Sequence, residues 1–303
     1  MPRPRNLPAG WTKCLVLFLL PISLRAQPSS PDLYVQATSA MLNRSFPSPQ
    51  VEFLLLDLRT RKTVALRWSH PEDPVPVGSL LKPFVALAYG QMNSIPSSSE
   101  PRNFPVVYCH GRRDGCWRAA GHGPLGLEHA LAESCNAYFL ALSGDLVASA
   151  NGQQAIERVS AAYGLPPPPA QPTPGILIGV TPQWRISPLA LARAYAALAV
   201  EPDPTASRLL TGMSLAAELG GTAARVGPHP GGVFAKTGTA PCVPSLGAPR
   251  CVANGDGLTV VIFPAQTPHF LLLVRQRGTT GAHAAEVAGQ MISQLDEAHA
   301  QAQ

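Results

Sequence analysis

Lysine is scarce in this 303-residue chain. Of 23 basic residues only Lys13, Lys62, Lys82 and Lys236 are lysine, and the rest are arginine. Charged residues make up 14% and aromatics 6% of the whole. No basic cluster is interleaved with aromatics, which excludes the usual footprint of a nucleic-acid-binding surface. Long apolar runs are equally rare. The longest, "CLVLFLLPISL" after Lys13, has eleven residues and is broken by Pro21, too short for a comfortable membrane span. With Arg3, Arg5 and Lys13 before it and "RAQPSSPD" after it, this run reads as the core of a signal peptide over residues 1–26, cut after Ala26. An uncleaved anchor is the alternative. Cys14 opens the run instead of closing it, which argues against a lipoprotein cut. The leader carries four positive charges and no acid, so the formal net charge falls from +5 to +1 without it. The basicity is an address label, and export to the periplasm or the outer face of the cytoplasmic membrane is expected.

What is present suits a globular protein. Hydrophobic residues make up 46%, enough for a proper core in one large domain or two small ones. Export permits disulfides. Cys109 and Cys116 bracket a short polar loop, as do Cys242 and Cys251, so two local disulfides with Cys135 left free are expected. A zinc site from Cys109, His110, Cys116 and His122 is the alternative, but its spacing matches none of the usual zinc patterns. No metal and no cofactor are therefore expected, and His110 and His122 read as structural hydrogen-bonding residues.

Residues 27–50 form a polar lead-in with one helix candidate, "DLYVQATSAML". "VEFLLLDLRTRKTVALRW" reads as two β runs joined by a turn at Arg59–Lys62. A proline-rich loop delivers Ser79, a helical pattern follows it, and residues 93–124 read as a long loop. Helical periodicity covers 125–146, 152–163, 188–199 and 207–219. The end returns to β in "VFAKTGTA", "GLTVVIF" and "HFLLLVRQRG", then closes on the helix "AHAAEVAGQMISQL". This order predicts an α/β protein of the α+β type: one antiparallel sheet made by both chain ends, with a helical subdomain inserted. The sheet would come from about 51–70 and 232–296, and the helical part from about 79–220. Together they form a domain over 51–296, with a tail at 297–303.

Two of the four lysines sit where lysine chemistry matters. Arginine does not lose its proton in a protein, whereas lysine does when buried or crowded by a second cation. If Ser79 starts a helix, Lys82 at i+3 lies beside its hydroxyl, and a neutral amine there would activate it as a nucleophile. That requires the lysine pKa to fall by about three units from about 10.4, at a cost of about 4 kcal/mol. A second ammonium about 4 Å away supplies about that much, and Lys236 is the candidate. In "AESCNAYF", Ser134 and Asn136 flank Cys135: a hydroxyl able to relay a proton, and an amide able to hold a peptide group. In "KTGT", Thr237 and Thr239 could hold a carboxylate together with Lys236, while Gly238 would let a ligand approach the strand.

Taken singly, each motif reads equally well as an ordinary helix start, helix end or edge strand. In this order, Ser-x-x-Lys, Ser-x-Asn and Lys-Thr-Gly form a catalytic signature. The chain resembles the transpeptidase domain of penicillin-binding proteins over roughly residues 50–295. The likeness extends to "PVGSLLKPF", "GHGPLGLEHALAESCNAYF", "ISPLALARAYAALA", "LLTGMSLAAELGGTA" and "VFAKTGTA". It implies a β-lactamase/transpeptidase-like fold, with Ser79 as acylated nucleophile and Lys82 as general base. Ser134 would pass a proton to the leaving amine, and Asn136 would hold the substrate peptide. Lys236, Thr237 and Thr239 would bind the terminal carboxylate, and the N–H groups of Ser79 and Thr239 would face the oxyanion. The implied substrate is a peptidoglycan stem peptide ending in D-alanyl-D-alanine, the implied inhibitors are β-lactams, and other cell-wall proteins are implied partners. The segment "APCVPSLGAPRCVANGDG" after Thr239 is longer than the family's tight hairpin. D,D-transpeptidase and D,D-carboxypeptidase remain equal readings. A serine β-lactamase lacks its Glu-x-x-Leu-Asn segment here, and Asn136 stands where the carboxylated-lysine class has an apolar residue. A non-catalytic penicillin-binding sensor or scaffold is the third reading.

Overall fold

The computed structural model describes residue 1 and residues 30–93, 103–241 and 255–301. The leader over 1–26 lies outside the described residues, and so do Cys242 and Cys251. Helix α1 (Ser30–Ser45) leads into strands β1 (Val51–Asp57) and β2 (Lys62–Arg67). A two-residue strand β3 (Val75–Pro76) precedes a 3-10 turn at Gly78–Leu81 and helix α2 (Lys82–Met92). Next come β4 (Val107–Cys109), β5 (Gly123–Leu125), α3 (Leu127–Ala132), α4 (Asn136–Val147), α5 (Ala150–Ala162) and α6 (Pro174–Leu177). Strand β6 (Arg185–Ile186) and helices α7 (Pro188–Leu198) and α8 (Pro204–Ala217) complete the helical part. The chain then returns to the sheet as β7 (Phe234–Ala240), β8 (Asp256–Phe263) and β9 (Phe270–Gln276), and ends on α9 (Gly281–Gln301).

The five long strands form one antiparallel sheet in the order β2-β1-β9-β8-β7. Strand β1 pairs with β9, from Val51 opposite Gln276 to Asp57 opposite Phe270, so both chain ends meet at mid-sheet. Side chains alternate across a strand, and both faces here are covered. Leu54, Leu56, Val260, Ile262, Leu271 and Leu273 pack toward the helical part. Phe53, Leu55, Val261, Phe263, Leu272 and Val274 pack toward α1 and α9. Two buried faces explain why these strands read as unbroken apolar runs instead of alternating ones. The lead-in takes part in the second layer, because Leu42 of α1 is fully buried there.

Local chemistry sets the helix starts. Helix α8 begins at Pro204, earlier than the periodicity over 207–219 implies. Asp203 accepts from the N–H groups of Thr205 at 2.6 Å and Ala206 at 3.3 Å, and proline suits the first helical position. Ser187 caps α7 on Ala190 N at 3.2 Å in the same way, again ahead of a proline. The helical pattern over 125–146 is broken into α3 and α4 at residues 133–135, where Ser134 has φ +49°. The stretch read as a long loop holds a small ribbon, β4 paired with β5, and a 3-10 turn at Gly111–Asp114.

Strand β7 is an edge strand, and the Ser79 turn packs against it. Tyr195 of α7, fully buried, steadies that turn from below by donating from its hydroxyl to Leu80 O at 2.9 Å. Tyr195→Phe leaves this buried carbonyl without its partner, so a loss of about 1–3 kcal/mol in urea unfolding is expected. A change within about 0.3 kcal/mol would show that the bond carries no stability.

Candidate active site

Three segments far apart in sequence converge on one cleft: the Ser79 turn, the α3–α4 break and the β7 edge. The cavity is about 630 Å³, and its lining includes Ser79, Ser134, Asn136, Thr237, Gly238 and Thr239. Lys82 and Lys236 lie beneath it, both fully buried. Trp117, Thr222 and Arg225 line it as well.

Close backbone contact brings the turn and the strand together. Gly78 has φ +57°, and a Cβ there would stand 2.5 Å from Thr239 O. A Cβ on Gly238 would stand 2.7 Å from Val77 O and 3.1 Å from Leu80 Cγ. Gly238 thus has a reason beside the expected one. The space it leaves is filled by the Ser79 turn, so it serves the fold before any ligand arrives.

Ser79 sits in the 3-10 turn, half-buried at the cavity wall, and Lys82 is the first residue of α2. Their expected hydrogen bond is not found among the described residues. Lys82 Nζ instead donates to Ser134 O at 2.7 Å and Asn136 Oδ1 at 2.7 Å, and lies 3.2 Å from Ser134 Oγ. Lys236 Nζ donates to Ser134 Oγ at 2.9 Å and Thr237 O at 2.6 Å. The two amines therefore share one hydroxyl. A neutral amine has two N–H donors and one lone pair. The two carbonyl contacts of Lys82 use both donors of its neutral form, which leaves its lone pair free to accept a proton.

Burial pushes the Lys82 amine down to about 7, against an opposing pull from the Cys135 and Cys116 sulfurs. Lys236 is held well below its ordinary value, first by burial and second by Lys82. The expectation that Lys236 supplies the Lys82 shift is thus corrected. Desolvation does most of that work, because water cannot reach Lys82 at all. Repulsion between the amines falls on Lys236.

The remaining groups are positioned by their surroundings. Ser134 adopts a left-handed backbone that costs a non-glycine residue of order 1–3 kcal/mol, and the bond from Lys82 to its carbonyl holds it there. Asn136 donates to Gly115 O at 3.2 Å, keeping one N–H and one lone pair of Oδ1 for a ligand. Thr237 Oγ1 donates to Thr222 Oγ1 at 2.9 Å, and Thr222 Oγ1 donates to Ala132 O at 3.1 Å. Thr239 is exposed, and its Oγ1 accepts from Gly281 N at 3.1 Å. Reading the motifs alone missed Thr222, Trp117 and Arg225. Thr222 lies within the resembling segment "LLTGMSLAAELGGTA", which was the available signal.

Neither of the two expected disulfides is observed. The Cys109–Cys116 bond is not formed: Cys109, Cys116 and Cys135 are all free thiols. Cys116 Sγ lies 3.4 Å from His122 Nδ1 and 3.9 Å from Cys135 Sγ, far beyond an S–S bond of about 2.05 Å. The sequence paired Cys242 with Cys251; that bond is not shown, because Cys251, like Cys242, lies outside the described residues. His110 faces outward, its Nδ1 2.9 Å from Asp114 Oδ2.

The Lys82 shift makes stability depend on pH. Between about 7 and the ordinary 10.5, the unfolded chain keeps a proton that folded Lys82 has released. Stability owed to this group therefore rises with pH across that window, by at most about 1.4 kcal/mol per unit. Lys82→Met removes the titration, so its stability relative to the parent should be highest at pH 7 and lower at pH 9. Urea unfolding at both values measures this, and a pH-independent difference would contradict it.

No protein-family model matches the sequence, and no curated protein matches it. Solved structures do. The TP domain of Burkholderia pseudomallei penicillin-binding protein 3 superposes with a TM-score of 0.64 at 16% identity, over 89% of this chain and 95% of that one. Pseudomonas aeruginosa PBP2, solved in complex with WCK 5153, gives 0.63 at 18% identity, over 86% of this chain and 73% of that one. Helicobacter pylori PBP2, in its complex with MreC, gives 0.64 at 14% identity, over 87% of this chain and 62% of that one. The α+β architecture, with its five-stranded antiparallel sheet and inserted helices, is the transpeptidase-like fold of penicillin-binding proteins.

Proposed function

We propose that this chain is an exported, penicillin-binding serine acyltransferase that acts on peptidoglycan stem peptides ending in D-Ala-D-Ala. One observation carries the reading: two buried lysines share the Ser134 hydroxyl, at 3.2 and 2.9 Å, beneath a cavity that Ser79 lines. In the proposed reaction, Ser79 Oγ attacks the carbonyl carbon of the penultimate residue, and its proton passes to the lone pair of Lys82. The N–H groups of Ser79 and Thr239 receive the developing oxyanion, where one such donor is worth about 3 kcal/mol. Ser134 Oγ, between the two amines, carries a proton to the departing D-alanine nitrogen. The C–N bond breaks, and an ester on Ser79 remains. An amine acceptor then regenerates Ser79 in transpeptidation, or water does so in carboxypeptidation.

The terminal carboxylate binds at Lys236, Thr237 and Thr239, and Asn136 holds the peptide. A carboxylate beside Lys236 favours its ammonium form. That restored charge pushes the neighbouring Lys82 further toward its neutral, basic state. Substrate thus completes its own base. The lining of the cavity contains no aspartate, glutamate or histidine among the described residues. Without a carboxylate to activate water, a β-lactam acyl-enzyme would persist, which favours transferase over β-lactamase. Residues 1–26 would direct export. Among the described residues, no helix is long and apolar enough to cross a membrane. One structural neighbour was solved with MreC, which supports other cell-wall proteins as partners.

Fluorescent penicillin tests this directly. A lasting adduct that is lost in Ser79→Ala is expected, with a labelling rate that climbs as pH rises through about 7, where Lys82 gives up its proton. Rapid hydrolysis without an adduct would assign a β-lactamase, and no label at all would assign a scaffold. Lys236→Arg should slow acylation about tenfold or more, a loss of about 1.4 kcal/mol, because the larger planar guanidinium displaces the substrate carboxylate and crowds Lys82. Unchanged acylation in Lys236→Arg would refute the role of that lysine.

A further inference from the structure

Behind the cleft, Cys109, Cys116, His122 and Cys135 turn toward one another. One ligand atom from each lies within 4.8 Å of all the others. His122 Nδ1 is 3.5 Å from Cys109 Sγ and 3.4 Å from Cys116 Sγ, and Cys116 Sγ is 3.9 Å from Cys135 Sγ. A tetrahedral zinc ion, with Zn–S of about 2.3 Å and Zn–N of about 2.0–2.1 Å, sets ligand–ligand edges of about 3.5–3.8 Å. The three separations of 3.4, 3.5 and 3.9 Å lie close to those edges, and the other three are within 4.8 Å. They are too long for disulfides.

The surroundings are those of a built site. The three sulfurs are buried, and the His122 side chain is 1% exposed. His122 Nδ1 faces the sulfurs while Nε2, buried and without a hydrogen bond, has the Glu133 carboxylate 3.5 Å away. A metal-bound histidine commonly directs its other nitrogen at a carboxylate, which fixes the tautomer and raises the basicity of the ligand. The loop that supplies three of the four groups is folded tightly on itself. Cys116 N donates to Gly111 O at 3.1 Å and His122 N to Cys109 O at 3.2 Å. Gly121 has φ +75°, and a Cβ on it would stand 2.2 Å from Cys109 O.

We propose that Cys109, Cys116, His122 and Cys135 bind one Zn²⁺, and that this ion fastens the Ser134–Asn136 turn to the 109–122 loop. Three thiolates and an imidazole are a soft donor set that selects zinc over magnesium or calcium. With four protein ligands the site is closed, so the ion is structural and takes no part in acyl transfer. Its position gives it a task. Cys135 lies between Ser134 and Asn136 in sequence, and as those two face the cleft it faces the ion. Other ties from loop to turn include Trp117 Nε1 to Glu133 O at 3.0 Å, Asn136 Nδ2 to Gly115 O at 3.2 Å, and the Glu133 carboxylate 3.8 Å from Arg118 and 3.5 Å from His122. The sequence alternative placed His110 in the set; the structure replaces it with Cys135.

Metal analysis of the full mature chain, purified without chelators, should find one Zn²⁺ per chain. Cobalt(II) exchanged into the stripped protein should give the visible absorption of a tetrahedral thiolate site. Glu133→Gln, which leaves all four ligands in place, should weaken zinc about tenfold or more in competition with a chromophoric chelator. Stripping the ion should also slow penicillin labelling, with recovery on adding Zn²⁺ but not Mg²⁺. That last arm rests on the proposed function: if the zinc-loaded protein never labels, the function falls and the metal site stands. An intact chain that holds no zinc and takes up neither Zn²⁺ nor Co²⁺ overturns the site. So does a purified protein two hydrogens lighter, with Cys116 and Cys135 joined as a disulfide.

Discussion

Two amines buried around a single hydroxyl are the constraint to which the rest of this molecule answers. Removing an ammonium from water is expensive unless it is paired, and the usual escape is to lose the proton. Lys82 and Lys236 have no carboxylate among their hydrogen-bond partners. Their neighbours are Ser134 O, Ser134 Oγ, Asn136 Oδ1 and Thr237 O. This arrangement satisfies the donors of neutral amines and does not neutralise a charge. It exists only if α2, the α3–α4 break and β7 meet within a few ångströms. The antiparallel sheet provides that by joining the chain ends at β1 and β9, leaving β7 on an edge beside the helical part.

Burial and repulsion divide the work between the lysines, and the division matters for chemistry. Burial lowers Lys82 to about 7 before any ligand arrives, so near neutral pH part of it is already the free amine. Lys236 feels burial and also the neighbouring amine. An anion arriving at β7 would therefore act first on Lys236. Arginine in either position would stay charged whatever its surroundings. In a chain with four lysines, two of them are fully buried, where an amine can shed its proton.

Legibility followed the range over which each feature is specified. Strands β1, β8 and β9 were readable because runs of four, six and five consecutive apolar or β-branched residues carry their own signal. Both ends of the sheet could thus be placed. Strands β4 and β5 have three residues each, too short for any period to show, and their stretch read as loop. The α3–α4 boundary hid inside continuous helical periodicity, because one left-handed residue, Ser134, breaks it without any glycine or proline. The site motifs were legible as residue types in order. Their contacts were not. Spacing placed Lys82 against Ser79, while the structure gives its hydrogen bonds to Ser134 and Asn136. Gly238 was read as letting a ligand approach the strand; it lines the cavity, and the place of its missing Cβ is taken by Val77 and Leu80.

The cysteines mark the sharpest boundary between sequence and structure. Cys109 and Cys116 are neighbours along the chain, so a loop-closing pair was the natural reading. Cys135 joins them only because the α3–α4 break turns its side chain away from the cleft. No spacing rule contains that information, since it arises from a strained backbone at the residue before it. The same strain explains why the break needs support from behind. Ser134 must hold a conformation of order 1–3 kcal/mol above the ordinary one while presenting its hydroxyl to two amines. The bond from Lys82 to its carbonyl restrains it on the cleft side. On the far side, Trp117 donates to Glu133 O at 3.0 Å and Cys135 packs among the other sulfurs, 3.9 Å from Cys116. The Ser134–Asn136 turn therefore presents one face to the cavity and the other to the sulfur cluster.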